Sequence, residues 1–200
     1  KVCIAGSYAN IGHVYDMQHK YDAALENHFA SLKIMKELDN KRGIAHAYYS
    51  IALIYNQQGN YSEALKYSLD ALKIREEIGA KNDLIGSYIN LGDLNIRFNN
   101  YTEARNYLER ALALSKEIGN KDKIKLSYKV LSDLDSIEGN FTSALQHYKQ
   151  FTLYKDSIIN EETKKQKAQL ILQYETEKKD QQIQLLSKER EIKELEILKK

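Results

Sequence analysis

Apolar positions along the chain recur with a helical period and, on a longer scale, every forty residues. Within the stretch 42–58, Ile44, Tyr48, Ile51, Ala52 and Tyr55 follow the i, i+3, i+4 spacing of one buried stripe on a helix. The next stretch, 62–78, carries Ala64, Leu65, Leu69, Leu72 and the neighbourhood of Ile74 at the same spacing and stops at Gly79. Gly59-Asn60, Asn99-Asn100 and Gly139-Asn140 interrupt the pattern with residues that tolerate turn and left-handed backbone. Asn60 with Glu63, and Asn100 with Glu103, match the pairs that cap a helix start. Gly119 repeats the stop at Gly79, and Asp39 takes that place earlier.

The long period aligns whole columns. Tyr8, Tyr48, Tyr88 and Tyr128 fall in one, Tyr21, Tyr61, Tyr101 and Phe141 in another, and Ala24, Ala64, Ala104 and Ala144 in a third. The pattern predicts an all-α chain of four helical hairpins at 1–40, 41–80, 81–120 and 121–160. Gly12, Ala52, Gly92 and Ser132 are expected where the two helices of a hairpin cross, facing the alanine column. A large residue there overpacks the crossing, so Ala64→Leu and Gly92→Leu are expected to destabilise. Lys1 aligns with Lys41, Lys81 and Lys121, which predicts that the chain opens on the first residue of a repeat, with at least one more repeat before it in the parent protein.

The 200 residues contain no proline and nine glycines, too few turn formers for a sandwich, barrel or doubly wound sheet. Net charge is +2, with 30 basic and 28 acidic residues interspersed, so neither nucleic acid nor anionic lipid is an expected partner. The single cysteine, Cys3, excludes an internal disulfide, and it is expected as a half-buried packing residue. No apolar run reaches eighteen residues, so no membrane insertion is expected of this segment.

Tyrosine, then Ile/Leu with Gly/Ala, then tyrosine, then Gly-Asn-Tyr with an alanine three residues on resembles the tetratricopeptide repeat over Lys1 to about Asn160. The forty-residue unit is similar to the longer-helix subclass found in bacterial signalling proteins and in cell-polarity and motor-adaptor scaffolds. The family's usual proline is missing, and the fourth unit departs from the pattern at Ser132, Asp135 and Phe151. The resemblance implies a right-handed α-α superhelix, a solenoid whose first helices line a concave, peptide-binding groove.

The family's groove columns fall on His13 and Met17 with Ala9 and Asp16, then on His46, Tyr49, Asn56 and Gln57. In the third and fourth units they fall on Asp93 and Arg97 with Ile89 and Ile96, and on Lys129 and Asp133 with Leu126 and Ile137. Such a mixed surface suits an extended peptide or a partner helix. The carboxylate-clamp columns of the family hold Ala9, His13 and Leu53, so a chaperone tail is not the expected ligand. Arg97 and Asp93 have the spacing of an i, i+4 pair. Tyr49→Ala and Arg97→Ala are expected to leave stability nearly intact, as groove positions.

After Asn160, Ala168, Ile171, Leu172 and Glu175 continue the first-helix columns, which predicts a capping helix from 161. No glycine or proline then stops it, so 161–200 is expected to run on as a helix of about 60 Å. Ile171, Lys178, Leu185, Ile192 and Tyr174, Gln181, Lys188, Leu195 make a partly apolar heptad pattern, strongest from Leu185, which favours a coiled coil and a homodimer over a solvated tail without a partner. This order of parts resembles the sensor region and signalling linker of bacterial histidine kinases, which would place the array on the periplasmic side of the inner membrane. The alternative is a free-standing cytoplasmic scaffold or peptide-responsive regulator.

Signatures of catalysis are missing: there is no phosphate-cradling glycine loop, HExxH, nucleophile elbow or CxxC. No cofactor is expected, and His13 with His46 lacks a third ligand for a metal. His19, His28 and His147 are expected on the surface.

Overall fold

A computed structural model of the chain describes residues 1–198, with side chains described through residue 187. The described residues form the helices α1 (Val2–Met17), α2 (Tyr21–Glu37), α3 (Lys41–Gln57), α4 (Tyr61–Glu77), α5 (Lys81–Arg97), α6 (Tyr101–Glu117), α7 (Lys121–Ile137) and α8 (Phe141–Leu198). Successive helices pack as antiparallel hairpins, and α3, α5 and α7 also touch in sequence along one face. This is the expected solenoid of tetratricopeptide-type hairpins. Lys1–Lys155 make one compact unit, and the helix from Asp156 onward a second.

Each break in the helical pattern turns through one residue with positive φ. Gly59 (77°), Asn99 (59°) and Gly139 (77°) close hairpins as expected, with His19 (57°) doing so in the first unit, and Asp39, Gly79 and Gly119 join one hairpin to the next. The equivalent position in the fourth unit is Ile159, whose β-branched side chain disfavours that backbone. No turn forms, and α8 runs through Asn160 as one helix. The separate capping helix expected from 161 is corrected accordingly: that stretch continues the second helix of the fourth hairpin, and Ala168, Ile171, Leu172 and Glu175 are exposed on it. The side chains of Lys188, Ile192 and Leu195 in the heptad reading lie outside the described residues.

The small-residue columns sit at the crossings. A Cβ on Gly92 would lie 2.6 Å from the Leu108 side chain, and one on Gly12 would lie 2.9 Å from the His28 ring. Ser132 donates its hydroxyl to the Ala144 carbonyl at 2.8 Å, filling the same crossing with a hydrogen bond. Ala24, Ala64 and Ala104 are fully buried opposite them. Caps follow the asparagines only in part: Asn40 and Asn120 accept from the amides of Gly43 and Lys123 at 2.9 and 3.1 Å. Asn60 accepts from Glu63 at a longer 3.4 Å, while the Asn100 side chain makes no cap. At the hairpin ends an exposed ion pair recurs with the repeat, as Lys1–Glu37, Lys41–Glu77 and Lys81–Glu117.

Burial corrects several expectations. Leu69 is exposed, and α4 instead buries Ser68, Ala71, Leu72 and Arg75. Cys3 is exposed. His28, expected at the surface, is buried at 3% exposure because Gly12 opens the crossing to its ring. Burial and the neighbouring His46 and His13 lower its pKa to about 4. His147 is also part-buried, with Nδ1 2.6 Å from Oδ2 of Asp135, the residue that replaces an aromatic in the fourth unit. Arg105 reaches the other Asp135 oxygen at 2.5 Å and also contacts Glu138. The buried carboxylate is thus bridged from α6 and α8 at once, as a buried charge requires.

Candidate functional site

The first helices α3, α5 and α7 set the geometry of the face they share, because residues three to four apart on each point to the same side. Between them lies a cavity of about 270 Å³. Tyr49 and Leu53 line it from α3, Gly86, Ile89, Asn90 and Asp93 from α5, and Lys123, Leu126 and Val130 from α7. Gly86 matters here through what it lacks: a Cβ would come 3.3 Å from the Tyr49 hydroxyl. Its floor is mainly apolar, with Asn90, Asp93 and Lys123 as the polar lining residues.

A polar cluster flanks this cavity. Asn56 donates to Asp93 at 3.3 Å, and Arg97 pairs with the same Asp93 oxygen at 3.2 Å across the expected i, i+4 spacing. Arg97 also donates to the Tyr61 hydroxyl at 3.2 Å and covers the Tyr61 ring. Oδ1 of Asn56 is buried without a hydrogen-bond partner. Asn90 is held beneath the floor by a 2.6 Å bond to Ser68 of α4.

Of the residues expected in the groove, the structure brings together Tyr49, Asn56, Asp93 and Arg97. Ile89 and Leu126 join them from the same family columns. His46 lies apart, in a second cleft of about 260 Å³ with Arg42, Ala45, Arg75, Ile78 and Asp83. His13, Met17, Gln57, Lys129 and Asp133 are exposed and line neither cavity. Tyr49 is half-buried, with the Arg75 guanidinium 4.2 Å from its ring centre, so it is less free than a groove-surface residue. Its burial raises its pKa, against the lowering effect of Arg75.

Asn90, Lys123 and Val130 stand outside the groove columns, while Leu53 falls in the column of His13, Asp93 and Asp133. Gly86 shares a column with His46 and Leu126, and its lost side chain was the one readable sign of a recess there. No group of three or more potential metal ligands stands together among the described residues. No helix among them is long and apolar enough to cross a membrane.

Comparison with known proteins agrees with this architecture. The chain has the fold of the apo form of RapI, with a TM-score of 0.70 and 18% identity over 78% of this chain and 44% of that one. It also matches BtubC from P. vanneervenii at a TM-score of 0.69 and 22% identity, over 77% of this chain and 64% of that one. A Rap protein complexed with Competence and Sporulation Factor gives 0.71 and 18%, over 76% of this chain and 43% of that one. The chain therefore spans less than two thirds of the length of each of these structures. No curated protein matches the sequence at a significant level. The tetratricopeptide repeat model matches residues 3–77 and 83–151, more than half of the sequence, and the chain belongs to the tetratricopeptide repeat family, whose arrays act as protein-interaction modules.

Proposed function

We propose that this chain is the recognition array of a signalling or scaffolding protein, and that α3, α5 and α7 hold an extended peptide or a partner helix across the concave face. The observation that carries this reading is the cavity of about 270 Å³ in which three successive first helices converge on one mainly apolar floor, with Asn90, Asp93 and Lys123 as the polar lining residues. An anchor side chain of the ligand occupies that floor. Asn56, Asp93 and Arg97 meet its backbone or polar neighbours. The Rap protein solved with Competence and Sporulation Factor supports the reading as a case of a similar fold in complex. The array itself is the non-catalytic part of its parent.

The test uses peptides selected from a random display library against the whole chain. Leu126 is 38% exposed at the cavity, so Leu126→Asp changes the floor without emptying the core. Selected peptides are expected to bind this variant at least about tenfold more weakly, while Leu153→Asp on α8 leaves binding unchanged. Equal binding to both variants contradicts the reading.

Within this proposal the array is the sensor region of a bacterial histidine kinase, and the helix from Asp156 is a linker that pairs with a second copy. The exposed Leu170, Ile171, Tyr174, Ile183 and Leu185 along that helix favour pairing. Sedimentation of the chain is expected to give a dimer, reduced to a monomer by Ile171→Glu with Leu185→Glu. The coding sequence after Lys200 is expected to specify an apolar span of about twenty residues and then a phospho-acceptor helix. A soluble continuation would favour the free-standing scaffold.

A further inference from the structure

The second cleft holds a buried cation that packing alone does not explain. Arg75 is 4% exposed. Its Nη1 donates to the Asp83 carbonyl at 3.0 Å and to Ser87 Oγ at 2.7 Å, and its guanidinium lies on the Tyr49 ring. Among the described residues no carboxylate stands within ion-pairing distance of it, and its Nε and Nη2 make no hydrogen bond. The same column holds Met35 in the first unit and Ser115 in the third. A thioether or a small hydroxyl therefore fills this position where only packing is required, and a desolvated guanidinium costs stability unless something balances it.

The surroundings add to the imbalance. Arg42 and His46 line the cleft of about 260 Å³ with Arg75, and Asp83 is the one acid among its lining residues. His46 is held toward its neutral form by desolvation and by the Arg75 charge, which leaves it able to donate or to take up a proton beside an incoming anion. Tyr49 separates this cleft from the apolar cavity and belongs to the walls of the first while stacking on the cation of the second.

We propose that the Arg42–His46–Arg75 cleft receives a carboxylate of the peptide whose anchor side chain fills the neighbouring cavity. This rests on the concave-face reading and adds a ligand chemistry to it. A planar guanidinium with free N–H donors matches a carboxylate. The carboxylate belongs either to an acidic side chain or to the peptide's C-terminus.

The isotope-labelled chain is titrated, with amide shifts followed by NMR, using three short probes: acetyl-Ala-Ala-Ala with a free C-terminus, acetyl-Ala-Glu-Ala amide and acetyl-Ala-Gln-Ala amide. Saturable shifts at the amides of Arg42, His46 and Asp83 are expected with at least one of the first two and none with the glutamine probe; which of the two acts identifies the source. Arg42 is exposed, so Arg42→Gln keeps the fold and is expected to weaken the effective probe about fivefold, and Arg75→Met to abolish its effect. Equal shifts with the glutamine probe, no shifts with either carboxylate, or a response to inorganic phosphate alone overturn the proposal. Selected peptides that depend on Leu126 yet ignore both arginine substitutions would remove this inference while leaving the concave-face reading in place.

Discussion

Helices α1 and α5 occupy the same place in their repeats and carry similar apolar stripes, yet they end in different environments. Ile11 and Val14 of α1 are 46% and 51% exposed, while Leu91 and Leu94 in the same columns of α5 are fully buried. Both helices bury the side that faces their own hairpin partner, at Gly12 and Gly92. Among the described residues, α4 covers the other side of α5 and α7 touches it as well, whereas α1 packs chiefly on α2. The stripe on a solenoid helix is thus two half-stripes, each buried by a different neighbour, and the stability of a unit is largely the stability of its interfaces.

Substitution in matched columns breaks or sharpens this comparison. Leu94→Ala is expected to lower the free energy of unfolding by about 2–5 kcal/mol, as emptied core positions do, and Val14→Ala by less than about 1 kcal/mol. Urea melts of the two variants measure the difference. Similar losses would mean that α1 is packed as α5 is.

Acid separates the units next. His28 in the first hairpin has a pKa lowered to about 4, below its ordinary 6.5, so the unfolded chain takes up a proton before the folded one does. Stability is expected to be unaffected by this group above pH 6.5 and to fall by roughly 3 kcal/mol as pH drops toward 4. Ser68 and Leu108 stand in this column in the second and third hairpins, and neither titrates there. His28→Leu should remove most of this acid sensitivity in melts taken from pH 7 to pH 4.

The crossings give a smaller contrast. Gly92→Ala drives a methyl into Leu108 and is expected to cost about 1–3 kcal/mol, whereas Gly6 has no atom within 4 Å of a Cβ, and Gly6→Ala should stabilise by up to about 1 kcal/mol through helix propensity. Thermal melts of both variants check the sign as well as the size. Smallest of all, Arg97→Ala removes an exposed pair worth about 0.2–1 kcal/mol. Tyr49→Ala should cost more than that, because the ring is half-buried against Arg75.

The repeat was legible because its constraints are local and periodic. Gly59, Asn99 and Gly119 mark turns that demand particular backbone, and Gly92 and Ala104 mark a crossing that demands small volume. Ile159 carries the opposite message, that a turn is forbidden there, and was obscured by the continuing columns beyond it. Buried polar residues were harder to read, since their partners lie far away in sequence. Asp135 is answered by Arg105 thirty positions earlier, and His28 is admitted by the missing side chain of Gly12.

The candidate site divides the same way. Tyr49, Asp93 and Arg97 follow from the family's columns, which describe one helix at a time. Asn90, Lys123 and Val130 join the cavity wall only because α3, α5 and α7 converge. Arg75 comes from a second helix, outside the columns that line a concave face, and reaches the cleft through the junction of α4 with α5. A position's column thus fixes which neighbour it faces, and the neighbours decide what it does.

Hydrogen exchange of the chain with and without a display-selected peptide tests the central claim most directly, since it reports binding by element. Slowed exchange in α3, α5 and α7, with α4 and α6 little changed, is the predicted result. Protection confined to α4 and α6, or to the helix from Asp156 onward, would contradict a concave recognition face.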